Sequence, residues 1–125
     1  MFNTQKSSKK SNHPFDLEER TFNFSKKIIE LVSRLPNTEI IKPLARQIIR
    51  SGTSIGANYA EANESNSKKD FLNKISISKK ESKETIYWLR LIREFAPSFK
   101  KDVFPLEQEA RELILIFSAI IKNSK

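Results

Sequence analysis

Ser51-Gly52-Thr53-Ser54-Ile55-Gly56-Ala57-Asn58-Tyr59-Ala60-Glu61-Ala62 looks at first like a glycine-rich loop. Its surroundings keep helical time. Leu44, Ile48, Ile55 and Tyr59 fall at helical intervals, and Gly52, Gly56 and Ala60 recur at every fourth place. Small residues at i, i+4 and i+8 form a smooth ridge along which a second backbone can pack closely. A glycine inside a helix costs roughly 1 kcal/mol relative to alanine, so a helix that keeps two of them needs a packing reason. The stretch is therefore expected to be a buried helix–helix contact. A phosphate loop requires Gly-x-x-x-x-Gly-Lys-Ser/Thr after a strand. Here the glycines are four apart, Ala57 follows the second, and no strand precedes them.

Outward from that helix, the chain divides into four apolar-periodic segments. Asp16 can cap a first helix, with Glu19 closing a capping box. Leu17, Thr21, Phe24, Ile28, Leu31 and Leu35 then step 4-3-4-3-4, flanked by Phe22, Ile29 and Val32, until Pro36-Asn37-Thr38 ends the helix. The second helix is expected from Pro43 to about Ala62 after an irregular entry over residues 39–42, because proline is tolerated only in a first turn. Ser67 caps a third helix reaching about Phe95. Its stripe of Phe71, Leu72, Ile75, Leu89 and Ile92 turns small and polar in the middle, at Ser78, Ser82 and Thr85. That middle is expected to face the small-residue ridge. Ala96-Pro97-Ser98 stops the helix. Asp102 can cap a fourth, with Pro105 in its first turn and Leu106, Ala110, Leu113, Phe117 and Ile120 facing inward. Four helices with short connections predict an all-α, antiparallel up-down-up-down four-helix bundle over residues 15–125. Residues 1–14 are expected to be a disordered basic tail carrying Lys6, Lys9 and Lys10.

Composition narrows the function classes. The 125 residues suit one domain with a modest core. There is no cysteine, which removes disulfides and thiolate metal sites. No secretory signal is visible, and no apolar run approaches the ~20 residues of a membrane span, so a soluble cytoplasmic protein is expected. The formal net charge of +8 suits a polyanionic partner, RNA or DNA. A lysine-rich surface that serves only solubility is the plainer explanation.

The blocks SGTSIGANYAEA (Ser51–Ala62) and KKESKETIYWLRLI (Lys79–Ile92), in that order and spacing, resemble the bacterial four-helix-bundle family named for proteins encoded within 23S rRNA intervening sequences. They are also similar to the accessory protein of diversity-generating retroelements. The resemblance runs from about Phe15 to Lys122. It implies a four-helix protomer, a homo-oligomeric ring of five with a positive surface, and association with nucleic acid. A ribosomal component or a reverse transcriptase is the protein partner it implies.

Candidate site residues follow from charge and spacing. Lys42, Arg46 and Arg50, at i, i+4 and i+8, form one basic stripe on the second helix. Lys79, Lys83, Arg90 and Arg93 lie along the third, with Lys68, Lys69 and Lys74 near its start. Together they can track phosphates through sequence-independent contacts. A solvated face with i,i+4 pairs such as Lys80–Glu84 is the alternative. Arg50, Ser51, Ser54, Asn58, Glu61, Glu81 and Glu84 are expected to form an interhelical polar network, with Arg50 or Asn58 meeting Glu81 or Glu84.

Glu61, Glu64, Glu81 and Glu84 invite a di-iron reading, yet such bundles also use Glu-x-x-His, and the only histidine is His13 in the tail. No metal or cofactor is expected. Nucleophilic attack by Ser51 or Ser54 lacks a base, so no enzyme activity is expected. Tyr87 and Trp88 point about 100° apart on a helix and cannot both enter one core. One is expected to meet a helix of the bundle and the other a neighbouring protomer, with base stacking by an exposed ring as the alternative. The competing function is a protein-interaction scaffold whose charge aids solubility alone.

Overall fold

The computed structural model describes residues 16–124; the expected tail at 1–14 lies outside them. They form four α-helices: α1 (Leu17–Arg34), α2 (Ile41–Asn63), α3 (Lys68–Phe95) and α4 (Lys100–Ser124), with a 3₁₀ turn at Pro97–Phe99 before the last. No strand occurs among the described residues.

Each start has a local cause. Asp16 accepts a hydrogen bond from the Glu19 backbone N–H at 3.3 Å, and Ser67 accepts one from Asp70 at 3.1 Å. Both satisfy amide donors that have no partner inside a first turn. The entry to α2 is more regular than the sequence suggests. A turn at residues 39–40 leads into a helix that already begins at Ile41, where Thr38 Oγ1 accepts the Ile41 N–H at 3.1 Å. Pro43 then stands within the first turn, where its missing N–H costs nothing. At the start of α4 the expectation fails. Helical structure begins at Lys100, directly after the 3₁₀ turn, so Asp102 is not a cap; it lies inside the first turn, 3.6 Å from Arg34 Nη1. Pro105 is correspondingly deeper in the helix than a first-turn position.

The stripes bury as their periods require. Phe24, Ile28, Leu31, Ile48, Ile55, Ile75, Leu89, Ile92, Leu113 and Phe117 are all essentially inaccessible. The stripe of α1 is narrower than its flanks suggest, since Phe22 and Ile29 remain 59% and 49% exposed.

The small-residue ridge is a helix contact, but its partner differs from the expected one. A Cβ built on Gly52 would lie 2.9 Å from Ile28 Cγ1, and one on Gly56 would lie 3.0 Å from Thr21 Oγ1. The glycines therefore admit α1. The small-polar middle of α3 meets the adjacent face of α2 instead. Ser78 Oγ donates to the Ile55 carbonyl at 2.9 Å, and Thr85 Oγ1 to Ser51 Oγ at 2.8 Å. Ser51 and Gly52 are neighbours, so their Cα–Cβ directions differ by about 100° and one short segment serves two helices. Gly52 is buried, Gly56 half-buried and Ala60 exposed, so the ridge opens towards its end.

Candidate nucleic-acid interface

On α2, Lys42, Arg46 and Arg50 are all exposed on one side of the helix, as their spacing requires. They are not equally available. Lys42 Nζ lies 3.9 Å from Glu39, and Arg50 reaches across to α3, where its Nη1 is 3.2 Å from Glu81 Oε1 and its Nη2 meets Glu84. Arg46 forms no ion pair among the described residues.

The Arg50 contacts join α2 to α3 through Glu81 and Glu84, two of the residues expected in an interhelical network. Glu81 is buried, Glu84 half-buried, and Trp88 Nε1 donates to Glu84 Oε2 at 3.1 Å. That indole hydrogen bond holds the Glu84 carboxyl below its ordinary value; burial opposes the shift, and Arg50 reinforces it. For Arg50, burial works against the charge, while the Glu84 hydrogen bond and the charges of Glu81 and Glu84 outweigh it and raise the guanidinium. Asn58 takes no part: its Nδ2 donates to the Ser54 carbonyl at 2.9 Å, one turn back on the same helix. Ser54 likewise donates to the Arg50 carbonyl at 2.6 Å. Ser51 is buried against Thr85, and Glu61 pairs with Lys74 at 2.6 Å. Of the i,i+4 pair that the alternative reading offered, Lys80 acts on Glu84 only through its charge, while Arg50 and Trp88 make the direct contacts.

On α3, Lys79 is half-exposed, and Lys83 and Arg90 are exposed. None of the three forms an ion pair among the described residues. Arg93 is different. Its Nε lies 2.5 Å from Glu107 Oε2, whose side chain is fully buried, and Arg111 approaches the same carboxylate at 3.5 Å. The Glu107 hydrogen bond and charge raise the Arg93 guanidinium. Sequence reasoning missed Glu107, although a signal was present: Val103, Glu107 and Ala110 step 4-3 and set a carboxylate on an apolar stripe. It also missed Arg20, which makes a forked contact to Glu109 at 2.6 and 2.9 Å and reaches Glu112 at 2.8 Å. Hydrogen bonding to Glu109 raises that guanidinium despite its burial.

Tyr87 is 56% exposed, and Trp88 is half-buried against the core, with ring centroids 5.1 Å apart in an edge-on arrangement. The two do diverge, and Trp88 is the inward member. A groove of about 600 Å³ runs outside the α1–α2 contact over Gly56, Ala57 and Ala60, edged by Phe22 and Glu18. Among the described residues, no three His, Cys, Asp or Glu side chains gather as a metal site, and no helix is long and apolar enough to cross a membrane.

Residues 15–119 match the model of the family described as 23S rRNA-intervening sequence protein. A crystal structure of a protein of unknown function from Bacteroides thetaiotaomicron VPI-5482, described as belonging to the S23 ribosomal protein family, is 34% identical. The two superpose with a TM-score of 0.77, covering 84% of this chain and 97% of that one. No functionally curated protein gives a significant match. The family match extends over nearly all of the described bundle, and the chain belongs to the 23S rRNA-intervening sequence protein family.

Proposed function

We propose that this protein is a non-catalytic accessory that binds nucleic acid, RNA foremost, as a positively charged homo-oligomeric ring in the bacterial cytoplasm. The observation that carries this reading is that Lys79, Lys83 and Arg90, exposed or half-exposed along one side of α3, have no carboxylate partner among the described residues, on a chain with a net charge of +8. Unpaired surface cations release counterions from a phosphate backbone, whereas paired ones contribute little. The family description, which refers to 23S rRNA, supports RNA over other polyanions.

Within the protomer we read the helices as an antiparallel up-down-up-down bundle. The contacts support this order. Thr21 and Ile28 of α1 meet Gly56 and Gly52 of α2; Glu61 and Arg50 of α2 meet Lys74 and Glu84 of α3; Arg20 and Arg34 of α1 meet Glu109 and Asp102 of α4. In each pair the residue numbers run in opposite directions. Self-association is supported by Phe22, Ile29 and Ile49, apolar side chains left exposed on α1 and α2. By resemblance the ring has five protomers, and a ribosomal component or a reverse transcriptase would be its protein partner.

Affinity for a structured RNA measured across 50–200 mM salt tests the function. The expected log–log slope is clearly negative; a flat slope, or no binding at 50 mM, would leave the protein-interaction scaffold as the better account. Light scattering tests the ring, which a strict monomer would exclude.

A further inference from the structure

The cations of this protein are unevenly neutralised, and among those with no ion pair in the described residues several line one edge of the bundle. On α2, Lys42 lies near Glu39, and Arg50 faces both Glu81 and Glu84, which leaves Arg46 as the unpaired member of that stripe. The edge formed by α3 and α4 is different. Lys79, Lys83, Ile86 and Arg90 step 4-3-4 and so share one side of α3. On α4, Phe104, Gln108, Arg111, Leu115, Ser118 and Lys122 step 4-3-4-3-4 and share one side likewise. Arg111, Leu115 and Lys122 are exposed there, Leu115 by 69%.

These two rows adjoin, because Arg93 from α3 and Arg111 from α4 converge on the same Glu107 carboxylate, at 2.5 and 3.5 Å. One buried carboxylate against two guanidiniums leaves a surplus positive charge at the junction. Arg111 is the less tightly held of the two, with a side chain 47% exposed. Glu94, one turn beyond Arg90, is the acid that flanks this face; it makes no ion pair with Arg90. Lys79 and Arg90 are eleven residues apart, as are Arg111 and Lys122. At 1.5 Å per residue each row is about 16 Å long. One strand of a duplex presents about five phosphates over that distance.

From this geometry we infer that the α3–α4 edge, rather than the α2 stripe, carries the phosphodiester backbone, with Lys79, Lys83, Arg90, Arg111 and Lys122 as its phosphate contacts. This rests on the nucleic-acid reading proposed above and adds two residues of α4 to it. Arg50 and Arg93 leave the binding set, because their charge is spent on holding helices together.

The test uses the full-length chain with an RNA hairpin and a DNA duplex of the same sequence. The first variant combines Lys79→Gln, Lys83→Gln, Arg90→Gln and Lys122→Gln, all exposed or half-exposed and free of ion pairs among the described residues, so its melting temperature should match wild type. Removing four contacts should flatten the log-affinity against log-salt slope by about 3 to 4, with at least about a 100-fold loss of affinity at 100 mM salt. The second variant, Lys42→Gln with Arg46→Gln, should keep the wild-type slope. Binding that survives the first variant, or is lost in the second, overturns the assignment while leaving nucleic-acid binding intact. Wild-type protein that binds neither probe at 50 mM salt overturns the functional reading itself. Equal affinity for the two probes supports a pure backbone contact. Preference for RNA supports the same face with the A-form backbone as its ligand.

Discussion

Replacing Gly52 with alanine sets two effects of opposite sign against each other at the centre of the fold. Alanine is the better helix former, worth about 1 kcal/mol in a helix interior. Its methyl, however, would lie 2.9 Å from Ile28 Cγ1 and 3.1 Å from Ile28 Cγ2. Ile28 is fully buried and β-branched, so the atoms in the way are near its backbone and cannot swing aside. Overpacking of this kind typically costs about 1–3 kcal/mol. The packing cost should win, leaving Gly52→Ala less stable by about 1 kcal/mol, or about 4 °C in melting temperature for a domain of this size. Urea denaturation measures the difference, and a double-mutant cycle identifies its cause. Ile28→Ala alone should cost about 2–5 kcal/mol through its cavity. In that background Gly52→Ala should change sign and stabilise, because the obstructing atoms are gone. A stabilising Gly52→Ala in the wild-type background would refute the claim that this glycine exists to admit α1.

Other expectations follow from the polar contacts. Thr85→Val leaves buried Ser51 Oγ without its donor at 2.8 Å and should cost about 1–3 kcal/mol by chemical denaturation. Arg93→Ala should lower the melting temperature more than Glu107→Met: the first leaves a buried carboxylate facing Arg111 alone, whereas the second lets both partly exposed guanidiniums turn to water. Glu84 binds its proton less readily folded than unfolded, because Trp88 and Arg50 hold its carboxyl low. Its contribution to stability is therefore complete above the ordinary carboxylate value of 4.5 and fades as pH falls through the lower folded value. Glu84→Gln should flatten that acid limb and remove the accompanying change in Trp88 fluorescence.

The helices were legible in the sequence because each carries its own apolar period, and the capping residues Asp16 and Ser67 act within a few residues of themselves. That the Ser51–Ala62 segment of α2 approaches the Ser78-Ser82-Thr85 stripe was legible too, although Ser51 and Ile55 make the contact and the glycine ridge beside them does not. Which neighbour Gly52 and Gly56 would admit was not. Ser51 and Gly52 differ by about 100° in direction, and only the placement of α1 decides that Ile28 stands over the glycine. The same limit applies to charge. Arg46 and Arg50 look alike along α2, but Glu81 and Glu84 reach only the second. Glu107 sits in an apolar period that marks it as inward-facing, while its two arginine partners come from separate helices.

If nucleic acid meets the α3–α4 edge, lysine footprinting reads that contact residue by residue. Wild-type protein is acetylated with and without saturating structured RNA at low salt, and modification is quantified by mass spectrometry. Lys79, Lys83 and Lys122 should become protected while Lys42 and Lys26 stay reactive. Unchanged reactivity across all five lysines, or protection confined to Lys42, would contradict the account.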